Sequence, residues 1–180
     1  MLIKKATIRD AGRLKEMLLL LNQEPQIDQN LKLFLKDADS WERWFYRFFD
    51  LTTLINNSGS CFLAEDNEGA AIGICYIVVP KWRLRVGKVG IAVHRDYRRK
   101  GVGSALLKKA VKWAIQPKLR VLVADVWAQN EVSLKFFNAN GFKEETRWMD
   151  KFGTHSQEKI RLTYFPPPRR RRMMSDSQRR

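Results

Sequence analysis

Cysteine and histidine are scarce in this chain, two of each among 180 residues. Cys61 and Cys75 stand in apolar, strand-like surroundings without metal-ligand spacing, and the histidines lie far apart in sequence, so no metal site is expected. So few cysteines exclude a disulfide-built fold and fit a reducing cytoplasm. Long hydrophobic runs are missing too, none reaching the ~18 residues that a membrane span needs. The opening MLIKKATIRD lacks the apolar core of a secretory leader and reads as an edge strand. Acids are in short supply, 19 against 34 basic residues, for a formal charge of +15. A field of that sign attracts polyanions such as nucleic acid, acidic proteins or phosphorylated cofactors. The segment Pro166 to Arg180 holds six Arg and one Asp, hence +5 of the total, which leaves +10 on the body.

What is present suits one soluble domain. The composition is 44% apolar and 29% charged, and the length is enough for one substantial core. Residues 1–165 read as that domain, and 166–180, three prolines followed by an arginine block, as a disordered basic tail. The tail is either a contact for nucleic acid or ribosomes or simply a solubilising extension. LIKKATIR alternates as a first strand. Asp10 is placed to cap a helix in which Leu14, Met17, Leu18 and Leu21 recur at helical spacing. Trp41, Trp44, Phe45, Phe48 and Phe49 share one helical face, which fits a helix packed on a sheet or a flap over a substrate entrance. CFLAED and AAIGICYIVV flank the turn-rich DNEG as a hairpin. A strand at VGIAV, a helix ending before Pro117, a strand at LRVLVADVWA, a helix from Asn130 to Asn140 and a closing antiparallel pair complete the chain. The expected fold class is α/β, with a mixed, mostly antiparallel sheet of six to seven strands and about four helices around one core.

One stretch carries chemistry, VHRDYRRKGVGSALLKK. A strand runs into three consecutive cations, Arg98, Arg99 and Lys100, then into Gly101 and Gly103, and from there into an amphipathic helix. The first-turn N–H groups of a helix lack intrahelical partners and its dipole makes that end positive, so strand, glycine turn and helix N-terminus together suit a phosphate. Glycine permits close backbone approach, and arginine can grip phosphate oxygens bidentately. Neither a P-loop nor a dinucleotide fingerprint fits, since the first lacks its lysine run and Leu106 stands where the second needs a third glycine.

VHRDYRRKGVGSALL resembles motif A of the GNAT superfamily of acyl-CoA-dependent N-acetyltransferases, (Q/R)-x-x-G-x-(G/A), here Arg98, Gly101 and Gly103. VWAQNEVSLKFFNANGF resembles the family's motif B, supplying Asn130, Ser133, Phe136, Gly141 and Phe142. The resemblance implies a GNAT-like domain with splayed fourth and fifth strands and acetyl-CoA as cosubstrate. In it the backbone from about Arg98 to Ser104 would cradle the pyrophosphate, and Ile91 and Val93 would hydrogen-bond the pantetheine arm. Asn130, Ser133 and Phe137 would line its far side. It implies acetyl transfer to a primary amine; the basic body slightly favours a protein N-terminus or lysine over a small amine, and the chain is expected to act as a monomer or homodimer with no membrane association.

A lysine amine titrates near ~10.4 and an α-amine near ~8, so the acceptor must lose a proton before attack. Asp125 is the candidate base, an acid on one strand face with Val121, Val123 and Trp127. The alternative is a structural Asp125, ion-paired with an arginine. Two departures from the family pattern bear on mechanism. Phe137 replaces the tyrosine that often protonates the departing thiolate, leaving Tyr76, water or solvent to do so, and Gly87 stands where many relatives carry an acid. His94 reads as a bystander and Cys75 as core. Two further readings remain open: a coenzyme A-binding module of low activity, and a nucleic-acid-associated protein using its basic surface and tail.

Overall fold

A computed structural model describes residues 1–10, 12–14, 16–17, 59–79, 85–115, 119–152 and 155–167. Among these, seven strands form one sheet: β1 (Leu2–Lys5), β2 (Gly59–Glu65), β3 (Ala71–Val78), β4 (Val86–Val93), β5 (Val121–Trp127), β6 (Lys143–Phe152) and β7 (His155–Tyr164). Their order across the sheet is β1-β2-β3-β4-β5-β7-β6. All neighbours are antiparallel except β4 and β5. The parallel pair exists because a helix, α1 (Val102–Ala114), carries the chain from the end of β4 back to the start of β5. A second helix, α2 (Glu131–Ala139), follows β5. The mixed α/β architecture expected from the pattern of elements is therefore present. The aromatic helix at Trp41 to Phe49 and the arginine block of the tail lie outside the described residues.

Helix α1 anchors the core. Val102, Leu106, Leu107, Ala110 and Ala114 are buried, whereas Ser104, Lys108 and Lys112 are exposed, the division its periodicity predicts. The buried stripe lies on β2, β3 and β4, together with Phe62, Cys75, Val89 and Leu122. Phe142, just past α2, is fully buried and stacks on Tyr164 of β7. Asp10 closes a 3₁₀ turn, Ile8–Asp10, ahead of a first helix described at residues 12–14 and 16–17, and its carboxylate reaches back three residues to accept hydrogen bonds from the Thr7 N–H (2.8 Å) and hydroxyl (3.0 Å).

Candidate active site

The ladder between β4 and β5 is short. It pairs Val86, Gly87 and Lys88 with Val121, Leu122 and Val123, and stops. Beyond that register β4 runs on along β3 as far as Val93, while β5 runs on along β7 as far as Trp127. The sheet thus opens into a V. His94 donates its N–H to Ile72 (2.9 Å), which sets the phase of the β3–β4 ladder. Alternate residues of an antiparallel strand direct their backbone groups to opposite neighbours, so Ile91 and Val93 turn theirs into the V. The Val93 carbonyl is used there by Arg98 Nε at 2.9 Å. An open strand edge of this kind accepts an extended amide ligand as an added strand.

At the mouth of the V the loop from β4 to α1 has an unusual backbone. Arg99 is the one non-glycine among the described residues with positive φ, at 59°, and Gly101 follows at 79°. Gly101 caps α1 without any side-chain hydrogen bond, and the first intrahelical bond of the helix is Ala105 N–H to Gly101 O (3.0 Å). The N–H groups of Val102, Gly103 and Ser104 therefore precede the helix's own ladder, beside three cations. Helix α2 contrasts with it, since Asn130 Oδ1 accepts the Ser133 N–H at 3.0 Å. Asn130 is thus first a helix cap, and its amide nitrogen has no hydrogen-bond partner among the described residues. These features fit a pyrophosphate joined to an amide arm.

The loop is also fastened from outside. Arg95–Tyr97 forms a 3₁₀ turn, and the Tyr97 hydroxyl donates to Asp66 Oδ2 (2.9 Å) in the β2–β3 turn. Asp66 Oδ1 in turn accepts the N–H groups of Glu68 (3.0 Å) and Ala70 (2.9 Å). The Ala70 N–H, then the Tyr97 hydroxyl and after it the Glu68 N–H, hold the Asp66 carboxyl below its ordinary value. His94 sits edge-on to Tyr97 and its Nδ1 faces the Asp96 N–H at 3.4 Å, a cap for the turn.

The two faces of the V differ. Val93 lies on the α1 side, where a Cβ on Gly103 would come within 3.6 Å of it and 3.1 Å of the Phe136 ring. On the opposite face Asp125 is almost fully buried and bound from two sides. Arg161 grips it bidentately, Nε to Oδ1 at 2.8 Å and Nη2 to Oδ2 at 3.0 Å, and Lys88 Nζ stands 3.0 Å from Oδ2. Burial works to raise the carboxyl, but the hydrogen bonds from Arg161 and Lys88 outweigh it and leave the group below its ordinary value. Arg161 also lies over the Trp148 ring at 5.1 Å, and Lys159 over the Trp127 ring at 4.1 Å.

Tyr76 belongs to this face as well. Its ring crosses β4 so closely that a Cβ on Gly90 would lie 2.0 Å from its Cζ and 2.2 Å from its hydroxyl oxygen. Burial pushes that hydroxyl up to about 12, so it is protonated at neutral pH. Gly87 faces the other way, where a Cβ would meet Ile77, Leu122 and Leu119 at 2.8, 2.8 and 2.9 Å. Any side chain at that position would have to push these three aliphatic side chains aside. Phe137 is buried in the core, edge-on to Phe136 and Phe142. Cys75 is fully buried, and burial pushes its thiol well up, which removes it as a nucleophile.

The structure therefore brings Ile91, Val93, Arg98, Arg99, Lys100, Gly101, Gly103 and Ser104 to one edge of the V and Asn130, Ser133 and Phe137 to α2 beside it. Lys88, Arg161 and Tyr76's position over Gly90 were not singled out by sequence. Opposite charges at alternate positions of β4, β5 and β7 were the available signal, but strand register is needed to pair them.

Comparison with known proteins bears on the family and the fold. The model of the Acetyltransferase (GNAT) family matches residues 20–142. N-alpha-acetyltransferase 30 of Xenopus laevis is 30% identical over 129 residues, 69% of this chain and 45% of that protein, so the chain spans less than half the length of that relative. L-amino acid N-acyltransferase of Escherichia coli is 29% identical over 133 residues, 71% of this chain and 72% of that protein. In fold, the chain is similar to a Salmonella typhimurium acetyltransferase solved with acetyl-CoA. There the TM-score is 0.70 at 19% identity, covering 92% of this chain and 94% of that one.

Proposed function

The chain belongs to the GNAT family of acetyltransferases, and on that premise we propose that it transfers an acetyl group from acetyl-CoA to the primary amine of a protein N-terminus or lysine. Residues 1–165 make up the transferase domain in this reading, with 166–180 a basic extension that draws acidic or nucleic-acid surfaces, in a cytoplasmic setting. The observation that carries it is the uncapped N-terminus of α1 beside the open edge of β4. The amides of Val102 to Ser104, with Arg99 and Lys100, would hold the pyrophosphate. The backbone groups of Ile91 and Val93 would hold the amide arm. Ser133 and the amide nitrogen of Asn130 would line its far side. Acetyl-CoA supplies an acyl group activated as a thioester.

The chain's own groups then have distinct parts. A backbone N–H of β4 inside the V can stabilise the carbonyl oxygen as charge gathers on it. Asp125, held ionised and occupied by two cations, is a weak proton acceptor, so its part is electrostatic: it orients Lys88 and Arg161. The acceptor's proton leaves through water. Tyr76, a donor kept protonated, stands on the β4 limb where Phe137 can offer no proton to the departing sulfur.

Calorimetric titration with acetyl-CoA and coenzyme A, with and without residues 166–180, tests the reading. Saturable binding is expected in both forms, weakened at least tenfold by Ser104→Glu, an exposed position beside the uncapped amides. Thiol release with an N-terminal peptide and a lysine peptide then tests transfer. Absence of coenzyme binding in both forms would overturn the proposal and favour a nucleic-acid role.

A further inference from the structure

The V has an open end and a closed one. Its mouth lies at the loop before α1, and its closed end is the last rung of the β4–β5 ladder, Lys88 opposite Val123. A coenzyme whose pyrophosphate sits at the mouth and whose amide arm follows β4 past Val93 and then Ile91 points its sulfur at that closed end. The room for the acyl group is therefore set by what fills the last stretch before Lys88. On the α1 side that stretch is core, where Val89, Ala124, Val126 and Phe137 belong to one buried cluster. An acyl chain can grow only toward the other face.

Two contacts close that face among the described residues. The Tyr76 ring lies across Gly90, and beside it Lys88 Nζ reaches Asp125 Oδ2 at 3.0 Å. Lys88 is the last paired residue of β4, and Asp125 stands two residues past Val123, so this ion pair spans the limbs where they have already parted. Beyond that rung no other hydrogen bond or ion pair joins β4 to β5 among the described residues. The partners are held differently. Asp125 has a side chain only 6% exposed and is fixed by the bidentate grip of Arg161, whereas the Lys88 side chain is 54% exposed and has Asp125 as its one partner. Moving Lys88 aside thus costs one charge-assisted hydrogen bond and leaves Asp125 paired. We propose that the Lys88–Asp125 contact bars the closed end of the V and sets the length of the acyl group the protein transfers: acetyl fits short of the bar, and longer chains must break it. This rests on the acetyltransferase reading above and deepens it on the donor side. The bond changes are those of ordinary acyl transfer: the amine nitrogen bonds the acyl carbon, the carbon–sulfur bond breaks, and the proton lost by nitrogen is matched by one gained at sulfur.

A donor series decides it. Acetyl-, butyryl- and hexanoyl-coenzyme A are titrated calorimetrically into wild type, Lys88→Thr and Lys88→Arg, and their rates of transfer to one N-terminal peptide are measured alongside. In wild type, affinity and kcat/KM should both fall about tenfold or more from acetyl to butyryl, the scale of one charge-assisted hydrogen bond, and fall again at hexanoyl. Lys88→Thr, which removes the reach but keeps a strand-favouring residue, should bring the acetyl-to-butyryl ratio close to one. Lys88→Arg keeps a cation within reach of Asp125 and should keep most of the ratio. Lys88→Ala repeats the truncation if the threonine variant does not fold. Equal acceptance of acetyl and butyryl by wild type, or a ratio that the truncation leaves unchanged, overturns the proposal while leaving the acetyltransferase reading intact. If the donors bind but no acyl group is transferred, the affinity ratios decide on the same terms. If neither the donors nor free coenzyme A bind, the acetyltransferase reading fails and this proposal falls with it.

Discussion

Gly90 and Tyr76 show how a single missing side chain shapes the V. In an antiparallel pair, directly opposite residues share a face, and Tyr76 and Gly90 are opposite each other. The tyrosine ring occupies the space that a Cβ would need, with three of its atoms within 2.6 Å of that position. Gly90→Ala should therefore force the ring off its rotamer and cost about 1–3 kcal/mol, the usual penalty for overpacking. Urea unfolding measures this. The cost should shrink in a Tyr76→Leu background, because the two positions couple directly. An equal cost in both backgrounds would mean that the ring is not what excludes the methyl group. Asp125 teaches a related lesson. Sequence alternation correctly predicts its face, but its behaviour as a carboxylate depends on two cations from other strands.

At the level of elements, the phosphate-facing loop is a bridge held at both ends. Arg98 ties it to the last residue of β4, and Tyr97 ties it to the β2–β3 turn through Asp66. The positive φ of Arg99 is maintained between these two fastenings. The Tyr97 contact is a hydrogen bond to a charged group on a partly exposed turn, so its loss should loosen the loop without unfolding the sheet. Tyr97→Phe is expected to raise the KM for acetyl-CoA about fivefold or more, in line with a contribution of ~1 kcal/mol or somewhat above, and to leave kcat little changed. Steady-state kinetics with varied acetyl-CoA checks it. A fall in kcat with KM unchanged would place Tyr97's influence on the chemistry instead. The G-x-G signature and its cations are legible in sequence because they are contiguous. The fastening to Asp66 is not, because it links residues 31 positions apart.

Across the whole molecule, the sheet's β1 edge is closed by buried charge. Asp10 and Glu65 are almost fully buried, and Lys4 lies 2.9 Å from each of them. Arg13 pairs with both acids and donates to the Gly69 carbonyl at 2.8 Å, which joins the first helix to the β2–β3 turn. Burial alone would raise the Asp10 carboxyl, but hydrogen bonds from Lys4 and Thr7 lower it to about 2 from 3.8. A carboxyl lowered on folding contributes stability that is complete above its unfolded value and is lost as pH falls through the folded one. The window is therefore about pH 4 down to pH 2, and the loss is roughly 2 kcal/mol. Thermal unfolding at several pH values should show a steep decline there in wild type and a flatter one in Asp10→Asn. Matching slopes would remove Asp10 from the acid response.

The sequence by itself determined the order of elements, the buried stripe of α1 and the glycine-and-cation loop that faces a polyanion. These follow from local rules, since periodicity, capping and turn chemistry act over a few neighbouring residues. The tertiary structure alone decided where β4 and β5 part, that Lys88 and Arg161 converge on Asp125, and that Tyr76 crosses Gly90. Each of those depends on the register between strands distant in the chain. That register is set by packing on a shared core, so it emerges only when the sheet closes around α1.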